Sequence, residues 1–284
     1  MRKLFFLAVG ACYCLAASAQ TDNAVATVKY TLKHVIDTTQ PDNPVTQRYM
    51  LYLGNTMTRY ADDRSPAGNT GTITNLGTVS TTRVVAGSAQ GGLQVMGVPA
   101  NWQLTNSYYK TPGSNTMAYL TLAGDKLFAV EEPIPAINWN ISADTKNMMG
   151  MQCQKASGRF KGRDYEAWFA AELPYNNGPW KLGGLPGLIV EAYDTKKEVV
   201  FTMTEFKPVK DTTIAITIPS SVAKTTPKEY KQYRDALTKD MEANRGAVSG
   251  GVFRGTLSVA AVSGGLSAPA QKPRQFNNPI EKEN

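Results

Sequence analysis

Residues 178–189 read Gly178-Pro179-Trp180-Lys181-Leu182-Gly183-Gly184-Leu185-Pro186-Gly187-Leu188-Ile189. Two prolines and four glycines set among apolar side chains do not make a solvated linker. Pro179 and Pro186 fix φ, the glycines open positions at φ > 0, and Leu185, Leu188 and Ile189 need burial. The stretch therefore reads as a built turn, bent against a core. It feeds a strand, because residues 188–194 form a short β-prone run that stops at a polar turn signal.

Working outward, the same kind of run recurs along the chain. In residues 24–36, Val28, Tyr30, Leu32, His34 and Ile36 share one parity and Thr27, Lys29, Thr31 and Lys33 the other, the two-residue period of a half-buried strand. Residues 46–53, 93–98, 102–109, 117–122, 126–131, 151–160, 165–171, 188–193 and 199–206 are strand-like too, separated by Gly, Pro, Asn or Asp. Short strands without intervening helical patterns predict a mainly β chain, an antiparallel meander forming a sandwich or a curved, partly open barrel. One helix is expected at about 226–245: Thr226 caps it, Pro227 suits its first turn, and Glu229 stands at the capping-box position. Tyr230, Tyr233, Leu237 and Met241 make its apolar stripe, with Gly246 expected to end it. Residues 65–92 and 246–270, rich in Gly, Ser, Thr and Ala, are expected to be mobile segments.

The first residues read as an export signal: Arg2 and Lys3, an apolar stretch over residues 4–15, then Ala17-Ser18-Ala19, with cleavage before Gln20. A lipoprotein anchored at Cys12 is the rival, on a loose lipobox at Val9-Gly10-Ala11-Cys12. Either way the product is exported, periplasmic or associated with an outer membrane, and residues 20–284 are expected to form a single β-rich domain. Cys12 and Cys14 leave with a signal cut after Ala19, so Cys153 is the one mature cysteine and no internal disulfide is available. The formal charge falls from +7 to +5 with Arg2 and Lys3, spread without a basic stripe, which excludes nucleic acid as a partner. Nothing in the mature sequence is apolar enough to span a bilayer as a helix.

Gly184-Leu185-Pro186-Gly187-Leu188-Ile189 resembles the signature of the GLPGLI family letter for letter. Trp139, Gln152-Cys153-Gln154-Lys155-Ala156, residues 160–169, Glu172-Leu173-Pro174 and the C-terminal Phe276-Asn277-Asn278-Pro279-Ile280-Glu281 extend the resemblance in order. It implies a secreted envelope protein of a family without an agreed biochemical role.

Phe160-Lys161-Gly162-Arg163 reads as a hairpin turn between two strands. Beside it, Arg163, Tyr165, Trp168 and Trp180 are either aromatic packing with an arginine stacked over it or an aromatic pocket in which Arg163 forks a carboxylate or phosphate. Met149, Met151 and Cys153 alternate, as soft ligands for copper would on one strand face, or as an ordinary buried face does. His34 and Cys153 are the mature chain's single histidine and cysteine, and His34 shares its strand's apolar parity, so a Cys–His nucleophile pair is poorly supplied. No nucleophile elbow, zinc-protease motif or phosphate loop occurs, and no cofactor is expected. The reading leans away from an enzyme and toward a binding or interaction protein that uses a sheet face or groove for an apolar ligand or another envelope protein. The alternatives are an enzyme of unrecognised type using Cys153 or the acids near Asp164, and a soft-metal binder.

Overall fold

In β1 (Thr21–His34) alternate residues from Ala24 to His34 are buried while their neighbours meet solvent at least in part, as the two-residue period requires. The computed structural model describes residues 21–63, 106–124, 126–210, 214–220, 222–248 and 275–282. The expected export signal, Cys12, residues 65–92, the strand at 93–98 and all but the start of 246–270 lie outside the described residues.

Twelve further strands follow: β2 (Val45–Gly54), β3 (Thr58–Asp62), β4 (Ser107–Thr111), β5 (Thr116–Ala123), β6 (Lys126–Pro133), β7 (Asn140–Met148), β8 (Met151–Phe160), β9 (Arg163–Ala170), β10 (Leu188–Asp194), β11 (Val199–Pro208), β12 (Ala215–Thr217) and β13 (Ala223–Thr225). They form one sheet in the order β13-β6-β5-β4-β3-β2-β1-β11-β10-β9-β8-β7, with β12 paired to the start of β1. Every pairing is antiparallel except β13 with β6. The path has two ends and does not close. Tight turns make it a meander: Lys161 and Gly162, both at positive φ, form the two-residue turn that joins β8 to β9.

The sheet curls around residues 173–187, the loop between β9 and β10. Lys110 of β4 and Glu132 of β6 reach this loop from one half of the strand order. Phe160 of β8 and Phe201 of β11 pack on its Trp180 from the other half. Strands far apart in the order meet one loop only if the sheet is strongly curved. Register shifts at Lys29/Tyr30 in β1, Ile141/Thr145 in β7 and Ile189/Glu191 in β10 supply extra twist.

The inner core joins Val28, Tyr30, Leu51, Leu53 and Tyr60 to Tyr165, Phe169, Trp180, Leu182, Leu185, Leu188 and Phe201. On the outer face of β2–β6 a second cluster of Tyr52, Met57, Tyr109, Leu120 and Leu127 is covered by Ile216 and Val222. The helix α1 (Pro227–Val248) opens with a reciprocal capping box, Thr226 N–H donating to Glu229 Oε2 at 3.0 Å and Glu229 N–H to Thr226 Oγ1 at 3.3 Å. Its Tyr230 and Leu237 pack on Ala123, Phe128 and Val130. The helix continues past Gly246 to Val248. Gly246 therefore does not stop it, since one interior glycine costs only about 1 kcal/mol.

Candidate functional site

The signature loop is buried at Leu182, Leu185, Leu188 and Ile189 and exposed at Gly184 and Pro186, and its enclosed polar backbone groups need partners. Lys110 Nζ donates to Leu182 O at 2.7 Å and to Asn177 Oδ1 at 3.0 Å, and Trp139 Nε1 donates to Gly183 O at 2.9 Å. Asn177 Nδ2 donates to Thr58 Oγ1 at 3.0 Å, which ties the loop to β3 as well. The register shift at Ile189 is matched by the Tyr30 hydroxyl, which donates to Ile189 O at 2.6 Å. Gly184 has φ +85 with nothing near a built Cβ, whereas at Gly187 a Cβ would lie 2.3 Å from Ala170 O. Leu185, Leu188 and Ile189 are fully buried. The first glycine thus answers a backbone conformation, and the second a close approach to β9.

Lys110 is 6% exposed with no carboxylate among its hydrogen-bond partners, and burial pushes its amine down to about 7. The neutral amine has two N–H bonds for its two acceptors. That match makes the uncharged form the better fit to the site.

Above the loop, the inner face of β1–β5 carries a ladder of tyrosines. Tyr60 pairs with Tyr108 and Tyr108 with Tyr119 across adjacent strands, which sets their side chains on one face. Tyr49 and Tyr60 stack at 4.8 Å, Tyr108 and Tyr119 at 4.7 Å, and Tyr30 and Tyr60 meet tilted at 6.3 Å. A cavity of about 620 Å³ opens among Tyr49, Tyr60, Tyr108, Tyr119, Trp180 and Phe201, floored by Leu32 and Ile280. Its polar groups are Asn106, Arg234 of α1 and Glu281. Asn106 Oδ1 accepts the Tyr119 hydroxyl at 2.6 Å. The Tyr60 hydroxyl, in contrast, is buried without a hydrogen-bond partner among the described residues, and desolvation raises its pKa well above the ordinary phenol value. Of the candidate binding residues Arg163, Tyr165, Trp168 and Trp180, only Trp180 lines this cavity.

Arg163 is 3% exposed, and all of its donors are used within the chain. Nε donates to Ile280 O at 3.0 Å, Nη1 to Asp194 Oδ2 at 2.5 Å and Glu198 Oε2 at 3.1 Å, and Nη2 to Asn278 Oδ1 at 2.6 Å and Pro279 O at 2.7 Å. It thereby fastens residues 275–282 as a strap whose Pro279, Ile280 and Glu281 form part of the cavity wall. His34 Nε2 donates to Asn278 O at 2.7 Å, and burial pulls its pKa down, which keeps the ring neutral. Tyr165 lies in the inner core. Trp168, on the opposite parity of β9, has Lys146 Nζ 4.3 Å from its ring centroid.

Cys153 is fully buried on β8, its Sγ 3.7 Å from Met151 O, and burial raises its pKa. Met149 stands in the β7–β8 turn at φ +53, half exposed, while Met151 begins β8. The three sulfur residues therefore do not continue one strand. Among the described residues no group of three or more His, Cys, Asp or Glu side chains is placed to hold a metal.

Sequence alone pointed to the loop and the Arg163 hairpin but missed the tyrosine ladder. The available signal was parity: Tyr30, Tyr49 and Tyr119 each stand in a strand-like run, whereas Tyr60 falls in none of those read from sequence. Tyr108-Tyr109 obscured it, because adjacent tyrosines leave the inward one undecided until the register is known.

A family described as a protein of unknown function (Porph_ging) matches over residues 159–191, from the end of β8 into β10. No curated protein matches. Two solved structures of PNGF-II, in space groups C2 and P21, are similar at TM-score 0.49 with 11% and 12% identity, each covering 77% of this chain. The similarity spans 33% and 34% of the length of those chains.

Proposed function

We propose that this chain is an exported envelope protein of the GLPGLI family, a single β-rich domain that binds a small apolar or amphipathic molecule in the tyrosine-lined cavity without transforming it. The cavity carries the reading: about 620 Å³ bounded by aromatic rings, with a few polar groups, fits the roughly 300–1,000 Å³ of small-molecule sites. Export rests on Arg2-Lys3, the apolar residues that follow and Ala17-Ser18-Ala19, and favours the periplasm or an outer-membrane-associated site. Family membership rests on the letter-for-letter signature at 184–189, within the matched residues 159–191.

The placement of the other candidate groups supports the same choice. Cys153 and Tyr165 are enclosed in the core, Asp164 is paired with Arg159 at 3.0 Å on the surface, and Arg163 serves the strap. In this reading Arg163, Tyr165 and Trp168 build the frame, and Trp180 alone of that group meets the ligand. No helix among the described residues is long and apolar enough to cross a membrane.

The test is native mass spectrometry of the protein purified from its own cell envelope. The expected result is a small-molecule adduct that is released on denaturation. A spectrum of bare chain only, or of a stable complex with another protein and an empty cavity, contradicts the reading.

A further inference from the structure

We infer that the ligand is an amphipathic anion, with an apolar body among the cavity's aromatic rings and a carboxylate-type head at Arg234 of α1. The inference rests on the reading of this cavity as a binding site and adds the chemistry of what enters it.

Among the described residues two charged side chains line the cavity, Glu281 and Arg234, and they are not in the same condition. Glu281 Oε1 accepts Lys181 Nζ at 2.7 Å, and Lys161 Nζ stands 3.5 Å from its Oε2. Its charge is therefore matched from two sides within the chain. Arg234 Nη2 comes no closer than 3.9 Å to Asp235 Oδ1, outside hydrogen-bonding range, and Asp235 Oδ2 already accepts Lys231 Nζ at 2.7 Å. Among the described residues the guanidinium fork of Arg234, 58% exposed, is thus the charge at this cavity with donors open to an incoming group, and its planar geometry suits a carboxylate.

The ring arrangement argues against a cationic head. A cation is held over aromatic faces, but Tyr49 and Tyr60 turn their faces on each other at 13° between planes, and Tyr108 and Tyr119 do so at 26°. Stacked pairs form apolar walls rather than an open cage.

The experiment loads the purified chain with the uncharged dye N-phenyl-1-naphthylamine and displaces it with three amphiphiles that share a dodecyl chain: dodecanoate, dodecyl maltoside and dodecyltrimethylammonium. Dodecanoate is expected to displace the dye about tenfold more tightly than the other two. Arg234→Gln, a change at an exposed position of α1, is expected to abolish that preference while leaving displacement by the maltoside unchanged. Equal or tighter displacement by the cationic or neutral amphiphile, or a preference that survives Arg234→Gln, overturns the head-group assignment and leaves the cavity reading standing. Failure of the dye and of all three amphiphiles to bind overturns the cavity reading itself.

Discussion

Gly184 and Gly187 share a motif but not a reason for being glycine, and substitution separates the two. At Gly184 a Cβ meets open space, so Gly184→Ala is penalised only for its φ of +85, by about 1 kcal/mol. At Gly187 a Cβ would lie within 2.9 Å of three backbone atoms of Ala170 and Ala171, which cannot swing away like a side chain. Gly187→Ala is therefore expected to cost more, about 2–3 kcal/mol, read as a lower urea midpoint at unchanged m-value. A larger loss at Gly184 contradicts this assignment. Lys110 gives a residue-scale prediction in pH. The unfolded chain keeps that proton up to about 10.5 and the folded chain releases it near 7, so the unfolded state holds more protons between those values. Stability should accordingly rise with pH across that window, the penalty on the buried amine being full below it and gone above it. Lys110→Met should flatten the slope; an unchanged slope in the variant refutes the assignment. At Cys153, full burial predicts thiol labelling only on denaturation and a cost of about 1–2 kcal/mol for Cys153→Ala. Rapid labelling of the folded protein counts against it. The glycines were legible in the sequence because turn chemistry is local. Lys110 was not, since nothing in Tyr108-Tyr109-Lys110-Thr111 says which parity faces inward.

At the scale of elements, the β8–β9 hairpin and the helix start were legible from Lys161-Gly162 and Thr226-Pro227-Lys228-Glu229, whose hydrogen bonds close within a few residues. The strap was not. Its partners are remote in sequence: Arg163 holds Asn278 and Pro279, the Asp37 carboxylate accepts Gln275 N–H at 2.9 Å, and the Ile36 carbonyl accepts Asn277 and Asn278 N–H. The backbone bond from Gln275 and the hydroxyl of Thr39 hold the Asp37 carboxyl down at about 2. Arg163→Met should release the strap. Removal of one partner from this buried cluster leaves Asp194 unmatched, with an expected loss of about 3–5 kcal/mol and new proteolytic cleavage within residues 275–282. If Arg163→Met keeps both its stability and its protection there, the strap is held by other contacts.

Across the whole molecule, alternation in the strands announced an antiparallel β fold, because half-burial imprints a period of two on each strand separately. Curvature leaves no such imprint. It follows from contacts between the residue 173–187 loop and strands at both ends of the order, and with it come the cavity and the ladder of Tyr49, Tyr60, Tyr108 and Tyr119. Trp180 joins the two levels, as a loop residue that packs on Phe160 and Phe201 and also lines the cavity. The most direct measurement is quenching of tryptophan emission by a bromine-tipped dodecanoate, a probe that acts only at contact range. Saturable quenching in the native chain that disappears in Trp180→Phe, while the brominated dodecanoate still displaces N-phenyl-1-naphthylamine from the variant, is the result predicted. Quenching that persists in Trp180→Phe would place the ligand near another tryptophan, outside the tyrosine-lined cavity, and contradict the account.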